Sequence, residues 1–222
     1  MSPTSESPSV ESVADGCLLL SHRLTEWVGN APTMEQDVAF GNIALDLLGQ
    51  ARGLLGVLGD EDQLAYFRDA EEFHNPGICA TDNGDFARTV VRQLFADCWL
   101  EQVWAGWLDH GDDVVRGVAE KAVKENAYHR RHSRAWVVRL GDGTEESRRR
   151  MLLAVDELWP LTAEIAVDGW REAVTDVLVA ATLPVPAPAE PDAAAAEASA
   201  TARRELLAEM QSLARAHPGA TW

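Results

Sequence analysis

The chain reads as an all-α helical bundle, and three observations carry that expectation. Apolar residues recur at steps of three and four along four long stretches, the pattern of helices that each bury one face. No segment alternates apolar and polar residues long enough to make a strand. Ala, Leu and Glu are abundant, whereas aromatics make up 7% of the residues and Tyr only 2 of them, which favours helix over sheet.

The elements follow in order. Met1 to Val10 is rich in Ser, Pro and Glu, with neither a basic start nor an apolar core, and is expected to be a disordered leader rather than a signal peptide. Residues 11–222 form one expected domain. Glu11 to Val28 predicts a first helix, stopped by Gly29-Asn30-Ala31-Pro32. Thr33 caps a second, with Gln36 placed to complete a capping box, and that helix runs to Leu58 before Gly59-Asp60. A short amphipathic piece, Glu61 to Asp69, leads into a loop around Asn75-Pro76-Gly77. Asp82 or Asn83 is expected to cap a third long helix that ends near His110-Gly111, and the fourth spans Asp112 to Leu140. Thr144 opens a fifth, which Pro160 breaks or kinks because proline cannot donate to the helix ladder. A continuation or sixth helix carries to Leu183, four prolines in 184–191 make an extended linker, and Asp192 to Ala216 is a final helix.

Composition excludes several function classes. No apolar run approaches the ~20 residues of a membrane-spanning helix. Three cysteines (Cys17, Cys79, Cys98) without a CxxC pair imply neither a zinc knuckle nor a disulfide framework, and fit a reducing cytoplasm. A formal charge of −17 disfavours nucleic acid and anionic membranes as partners.

The informative positions are polar residues that interrupt the apolar stripes. On the fourth helix, Val115, Val118, Ala122, Glu125, His129, His132, Trp136 and Leu140 recur at three- and four-residue steps and share a face. The third helix does the same through Val90, Leu94, Asp97, Glu101, Trp104 and Leu108. Asp46 and Gln50 interrupt the second, and His22 and Glu26 follow Leu19 on the first. Buried carboxylates cost several kcal/mol unless paired or bound to metal. Each pair taken alone is equally compatible with a solvent-facing position.

Four helices carrying such pairs suggest a carboxylate-bridged di-iron bundle, which needs a Glu from each of two helices and Glu-x-x-His from the other two. The sequence does not meet that requirement. The second helix has Leu47-Leu48-Gly49-Gln50 and the fourth Asn126-Ala127-Tyr128-His129. Glu71-Glu72-Phe73-His74 has the spacing but falls outside the long helices. Glu26, Asp46, Gln50, Asp97, Glu125 and His129 are therefore expected to form a polar network that substitutes for metal, with no catalytic and no metal-ligating residue in the chain.

Several runs in order resemble the C subunit family of phenylacetyl-CoA epoxidase: Ser21-His22-Arg23-Leu24-Thr25-Glu26-Trp27, Asn42 through Arg52, Asp62 through Asp69, Asn83 through Ala87, Tyr128-His129, Arg139 through Ser147 and His217 through Trp222. The resemblance spans nearly the whole chain from Asp15 onward. It implies a ferritin-like fold and a structural, non-catalytic role in phenylacetate breakdown. It also implies a hetero-oligomer with a related catalytic A subunit, which carries the di-iron centre, with further oxygenase subunits and with a reductase using FAD, an iron–sulfur cluster and NADPH. A homodimeric contact stays open. So do a scaffold role in another assembly and a self-sufficient metalloprotein built on Glu26, Asp46, Asp97, Glu125 and His129. Among 8 tryptophans, Trp104 and Trp136 are expected in the core. Trp107 and Trp222 are divided evenly between core and a partner surface.

Overall fold

A computed structural model describes residues 8–220. Most of the expected leader, Met1 to Ser7, and Trp222 lie outside the described residues. The helices are α1 (Val10–Thr25), α2 (Met34–Leu58), α3 (Glu61–Tyr66), α4 (Gly77–Ala80), α5 (Phe86–Gly106), α6 (Asp113–Gly141), α7 (Glu145–Leu158), α8 (Trp170–Ala180), α9 (Ala193–Met210) and α10 (Ser212–Ala216). Short 3-10 turns lie at Ala70–Glu72, Trp107–Asp109 and Trp159–Glu164, and no strand occurs among the described residues. None of these helices is long and apolar enough to cross a membrane.

The caps show why helices begin where they do. Ser9, Thr33, Asp60, Asp112, Thr144 and Asp192 each accept a backbone N–H of the following first turn, which satisfies donors the helix cannot. Ser9 places the start of α1 inside the expected leader. Two expectations at caps change. Gln36 does not close a box with Thr33; its side-chain oxygen lies 2.8 Å from His132 Nε2 on α6. Asp85, not Asp82 or Asn83, caps α5, since Asn83 is committed to Arg23 and Arg92.

α1, α2, α5 and α6 form the bundle. Ser21 on α1 donates to the Ala44 carbonyl on α2 at 2.8 Å, while Cys17 reaches Gln50, so the two run antiparallel. The same reversal relates α2 to α6, through Gln36–His132 and Gln50–Glu125. It relates α5 to α6 through Phe86–Trp136 and Glu101–Arg130, and α1 to α5 through Trp27–Thr89 and Gly16 against Trp99. Four neighbouring helices can all be antiparallel in this order only if the chain between α2 and α5 travels the length of the bundle. Residues 59–85, carrying α3 and α4, are that crossover, and the connectivity is ferritin-like. Trp27, Phe40, Phe86, His132 and Trp136 close one end, with ring centroids 5.0–6.0 Å apart.

Three buried arginines pin the crossover. Arg68 pairs with the fully buried Asp15 and donates to the Leu64 and Glu72 carbonyls. Arg23 donates to the Ala80 and Ala202 carbonyls, and Arg92 to the Thr81 carbonyl and Asn83 Oδ1.

Beyond α7, Pro160 sits in the 3-10 turn, as its missing N–H requires. Of the two expected alternatives, the separate helix is observed rather than a continuation: the chain turns at Gly169, whose φ of 81° suits glycine, and α8 follows, ending at Ala180 rather than Leu183. Residues 183–192 are without regular structure, and α9 then folds back onto α4, where Ser199 donates to the Gly77 carbonyl at 2.6 Å. Gln211 interrupts the expected final helix because its side chain donates to the Ala65 and Arg68 carbonyls of the crossover.

Candidate functional site

The polar residues singled out in the sequence do not all meet. Four of them do, midway along the bundle between α2 and α6. His129 Nε2 lies 3.1 Å from Asp46 Oδ2, and Gln50 Nε2 donates to Glu125 Oε2 at 3.0 Å. Cys17 reaches Gln50 Oε1 at 3.7 Å from α1, and Lys121 Nζ stands 3.0 Å from Glu125 Oε1. His129 is fully buried, Gln50 nearly so, and Glu125 and Asp46 are partly open to the surface, with side chains 15% and 35% exposed.

Asp97 forms a second group on the α5 side. Its carboxylate accepts from Gln93 Nε2 and Ser133 Oγ, each at 2.7 Å, and its backbone carbonyl accepts from Asn126 Nδ2 at 2.9 Å. Burial raises the Asp97 carboxyl to about 6, while the nearby His129 and the two side-chain hydrogen bonds pull the other way. Burial also lowers the His132 imidazole, with the neighbouring His129 adding to the shift.

Glu26 lies elsewhere. It bonds Arg23 at 2.8 Å and Asn83 at 2.8 Å at the end of α1, next to the crossover. His22, its partner on the expected stripe, is half-buried there, and its pKa is lowered by burial against the pull of Glu26. Glu101 is half-exposed and paired with Arg130. Glu71 and His74 diverge, the former to Arg204 and the latter toward Glu11.

The α6 stripe is rotated from the expected one. The buried line is Val115, Ala119, Ala122, Asn126, His129, Ser133, Val137 and Gly141. Glu125, His132, Trp136 and Leu140 flank it. The rotation brings Asn126 and Ser133 inward, where Asp97 offers both of them an acceptor. Sequence reasoning missed Ser133, Gln93, Cys17 and Lys121.

Trp107 is not a surface aromatic. It is 4% exposed and meets Trp104 edge to face, centroids 5.6 Å apart. Trp104 is fully buried, Trp136 half-buried against Phe86, and Trp222 lies outside the described residues.

These side chains do not fit a di-iron centre. Both oxygens of Glu125 are engaged, one by the Gln50 amide and one by the Lys121 ammonium. Leu47 and Asn126 are both buried, so the inward positions of the degenerate motifs carry one side chain with no donor atom and one amide committed to a backbone carbonyl. Among the described residues, no group of three or more His, Cys, Asp or Glu side chains is placed to hold one ion. A cleft of about 830 Å³ lies away from this level, lined by Asp60, Tyr66, Phe67, Met210, Leu213 and His217 among others, and includes none of the mid-bundle residues.

A family described as phenylacetic acid catabolic protein matches residues 6–168. The chain is also 39% identical over 238 aligned positions to the C subunit of 1,2-phenylacetyl-CoA epoxidase from Escherichia coli (strain K12), covering 95% of this chain and 96% of that protein. The chain belongs to the phenylacetic acid catabolic protein family. Family membership agrees with the ferritin-like connectivity derived above. The match to the epoxidase protein extends through the crossover and α9, so the buried arginines and the mid-bundle polar groups all fall within it.

Proposed function

We propose that this chain is the structural, non-catalytic subunit of a multicomponent phenylacetyl-CoA epoxidase, pairing with and stabilising a catalytic subunit of the same fold that carries the di-iron centre. The observation that carries the reading is the commitment of the mid-bundle side chains to one another. Gln50 and Lys121 hold Glu125, and Asp46 holds His129, where an oxygen-activating bundle would need free carboxylates and imidazoles. The near full-length similarity to an epoxidase C subunit supports the same reading and supplies the substrate class, a CoA thioester of phenylacetate. Electrons would come through a reductase with FAD, an iron–sulfur cluster and NADPH, none of which this chain has to bind. Cytoplasmic placement follows from that role.

The test is co-expression with the catalytic subunit. The expected outcome is a stable hetero-oligomer on size exclusion, with epoxidation of phenylacetyl-CoA only when both chains and the reductase are present. Separate elution of the two chains, or full activity of the catalytic subunit without this one, would contradict the proposal.

A further inference from the structure

The outward face of α6 carries cations that the chain itself leaves unpaired. Between Lys121 and Gly141 stand six basic residues and one carboxylate, Glu125, in a chain whose net charge is −17. Lys121, Lys124, Tyr128, Arg131, Ala135 and Arg139 recur at steps of three and four on the side opposite the buried line, and Arg134 flanks them. All seven are exposed. A helix rise of about 1.5 Å per residue makes the stripe about 27 Å long. The other acids of α6, Asp113 and Glu120, precede it.

Pairing sets these arginines apart. Elsewhere among the described residues each exposed arginine meets a carboxylate of its own chain: Arg52 meets Glu61, Arg149 and Arg150 meet Glu146, Arg204 meets Glu71, and Arg215 meets Asp69. On α6, Lys121 and Arg130 hold Glu125 and Glu101. Lys124, Arg131, Arg134 and Arg139 hold no acid among the described residues, although the chain contains 36. Two of the guanidiniums instead lie over aromatic rings, Arg131 at 5.6 Å from the Tyr128 centroid and Arg139 at 5.1 Å from that of Trp136. Such stacking orders the side chain while its donors stay free. Exposed arginine beside exposed tyrosine is also the composition that carries binding energy at protein interfaces.

We infer that this stripe docks a carboxylate-rich face of the catalytic subunit. The inference rests on the pairing proposed above and names the surface that makes it. Charge selects the occupant, because unpaired cations on an otherwise acidic molecule steer and orient an acidic protein surface. Shape agrees. The stripe is a convex helix face of protein-sized length, whereas small anions such as the phosphates of CoA are held in concave sites. The acidic remainder of the chain repels nucleic acid.

Calorimetric titration of the full chain with the catalytic subunit, at rising salt, tests this. Wild-type binding should weaken as salt screens the stripe. Arg131→Glu combined with Arg134→Glu should lose about tenfold or more in affinity, with an unchanged melting temperature because both side chains are exposed and unpaired. Arg131→Gln with Arg134→Gln should also weaken binding. Ala194→Glu with Ala198→Glu, the same change in net charge on an exposed part of α9, should not. A wild-type complex that the Arg131→Glu/Arg134→Glu protein forms equally well overturns the inference alone. No complex from the wild type overturns the proposed function with it. Equal weakening by the two charge-matched pairs would overturn the inference, as would CoA binding to the isolated chain that Arg131→Glu/Arg134→Glu abolishes.

Discussion

Two buried polar regions of this bundle are satisfied in opposite ways. Under the crossover, Arg23, Arg68 and Arg92 direct their donors mainly at backbone carbonyls of the irregular segment. Asp15 is closed by Arg68 and by the His74 N–H at 2.9 Å. In the middle of the bundle the bonds run between side chains, and more acceptors and ring nitrogens are left over. His129 Nδ1, Gln93 Oε1 and Asn126 Oδ1 are buried without a hydrogen-bond partner among the described residues, whereas under the crossover the atoms left over are one Nε each of Arg92 and Arg203, both of which bond through terminal nitrogens. The first region fixes an irregular segment against the bundle, and its groups depend on one another. The second fills a space with polar groups that only partly satisfy each other, which is the less stabilising arrangement. Polar atoms in a core are therefore no guide to importance until their partners are counted.

The comparison can be broken by mutation. Arg68→Leu should have the largest effect, because it strands the Asp15 carboxylate where no water reaches it. A loss of about 3–5 kcal/mol is expected from breaking a buried pair on one side, measured from urea unfolding midpoints. Loss of less than about 1 kcal/mol, the range of an exposed pair, would remove the distinction between the regions.

Asp97→Asn sharpens it on the mid-bundle side. The Asp97 carboxyl titrates near 6 in the folded protein, above its ordinary value of 3.8. The folded state thus binds the proton more tightly, and Asp97's contribution to stability falls as pH rises from about 4 to about 6. Above that window the full cost is present, on the order of 2–3 kcal/mol at ~1.4 kcal/mol per pKa unit. Asp97→Asn should remove this dependence, so the stability difference between variant and wild type should shift in the variant's favour across the window. A parallel pair of curves would contradict it. Comparing the two proteins at each pH cancels the opposite trend from His132, whose lowered pKa makes it lose stability as pH falls.

His129→Leu should do least. Asp46 is 35% exposed and can turn to water when its partner goes, and the orphaned Nδ1 disappears with the ring. A change within about 1 kcal/mol is expected, as for replacement of under-satisfied buried polar groups by apolar ones. A loss near that of Arg68→Leu would show the mid-bundle groups to be as interdependent as the crossover's.

The positions of the long helices were legible because their caps and stops are local chemistry: Thr33, Asp112 and Thr144 at starts, Gly59-Asp60 and Gly141-Asp142-Gly143 at ends. The rotation of α6 was not. Val118, Trp136 and Leu140 look inward by type and Asn126 and Ser133 look outward, and only the acceptors offered by Asp97 reverse them. The crossover arginines were equally hidden, since arginine is ordinarily a surface residue and the carbonyl that Arg23 meets, on Ala80, is 57 positions away in the chain. Of the candidate site, Asp46, Gln50, Glu125 and His129 come together, Asp97 forms a neighbouring group with Gln93, Asn126 and Ser133, and Glu26 stands apart because the end of α1 serves the crossover.

The central claim is that the mid-bundle residues of this chain hold one another and leave the metal to a partner. Iron analysis tests it most directly, on the chain purified alone and on its complex with the catalytic subunit, both loaded with ferrous iron and desalted. The account predicts iron in proportion to the catalytic subunit and none retained by this chain alone. Near-stoichiometric iron on the isolated chain, lost on Glu125→Ala, would contradict it.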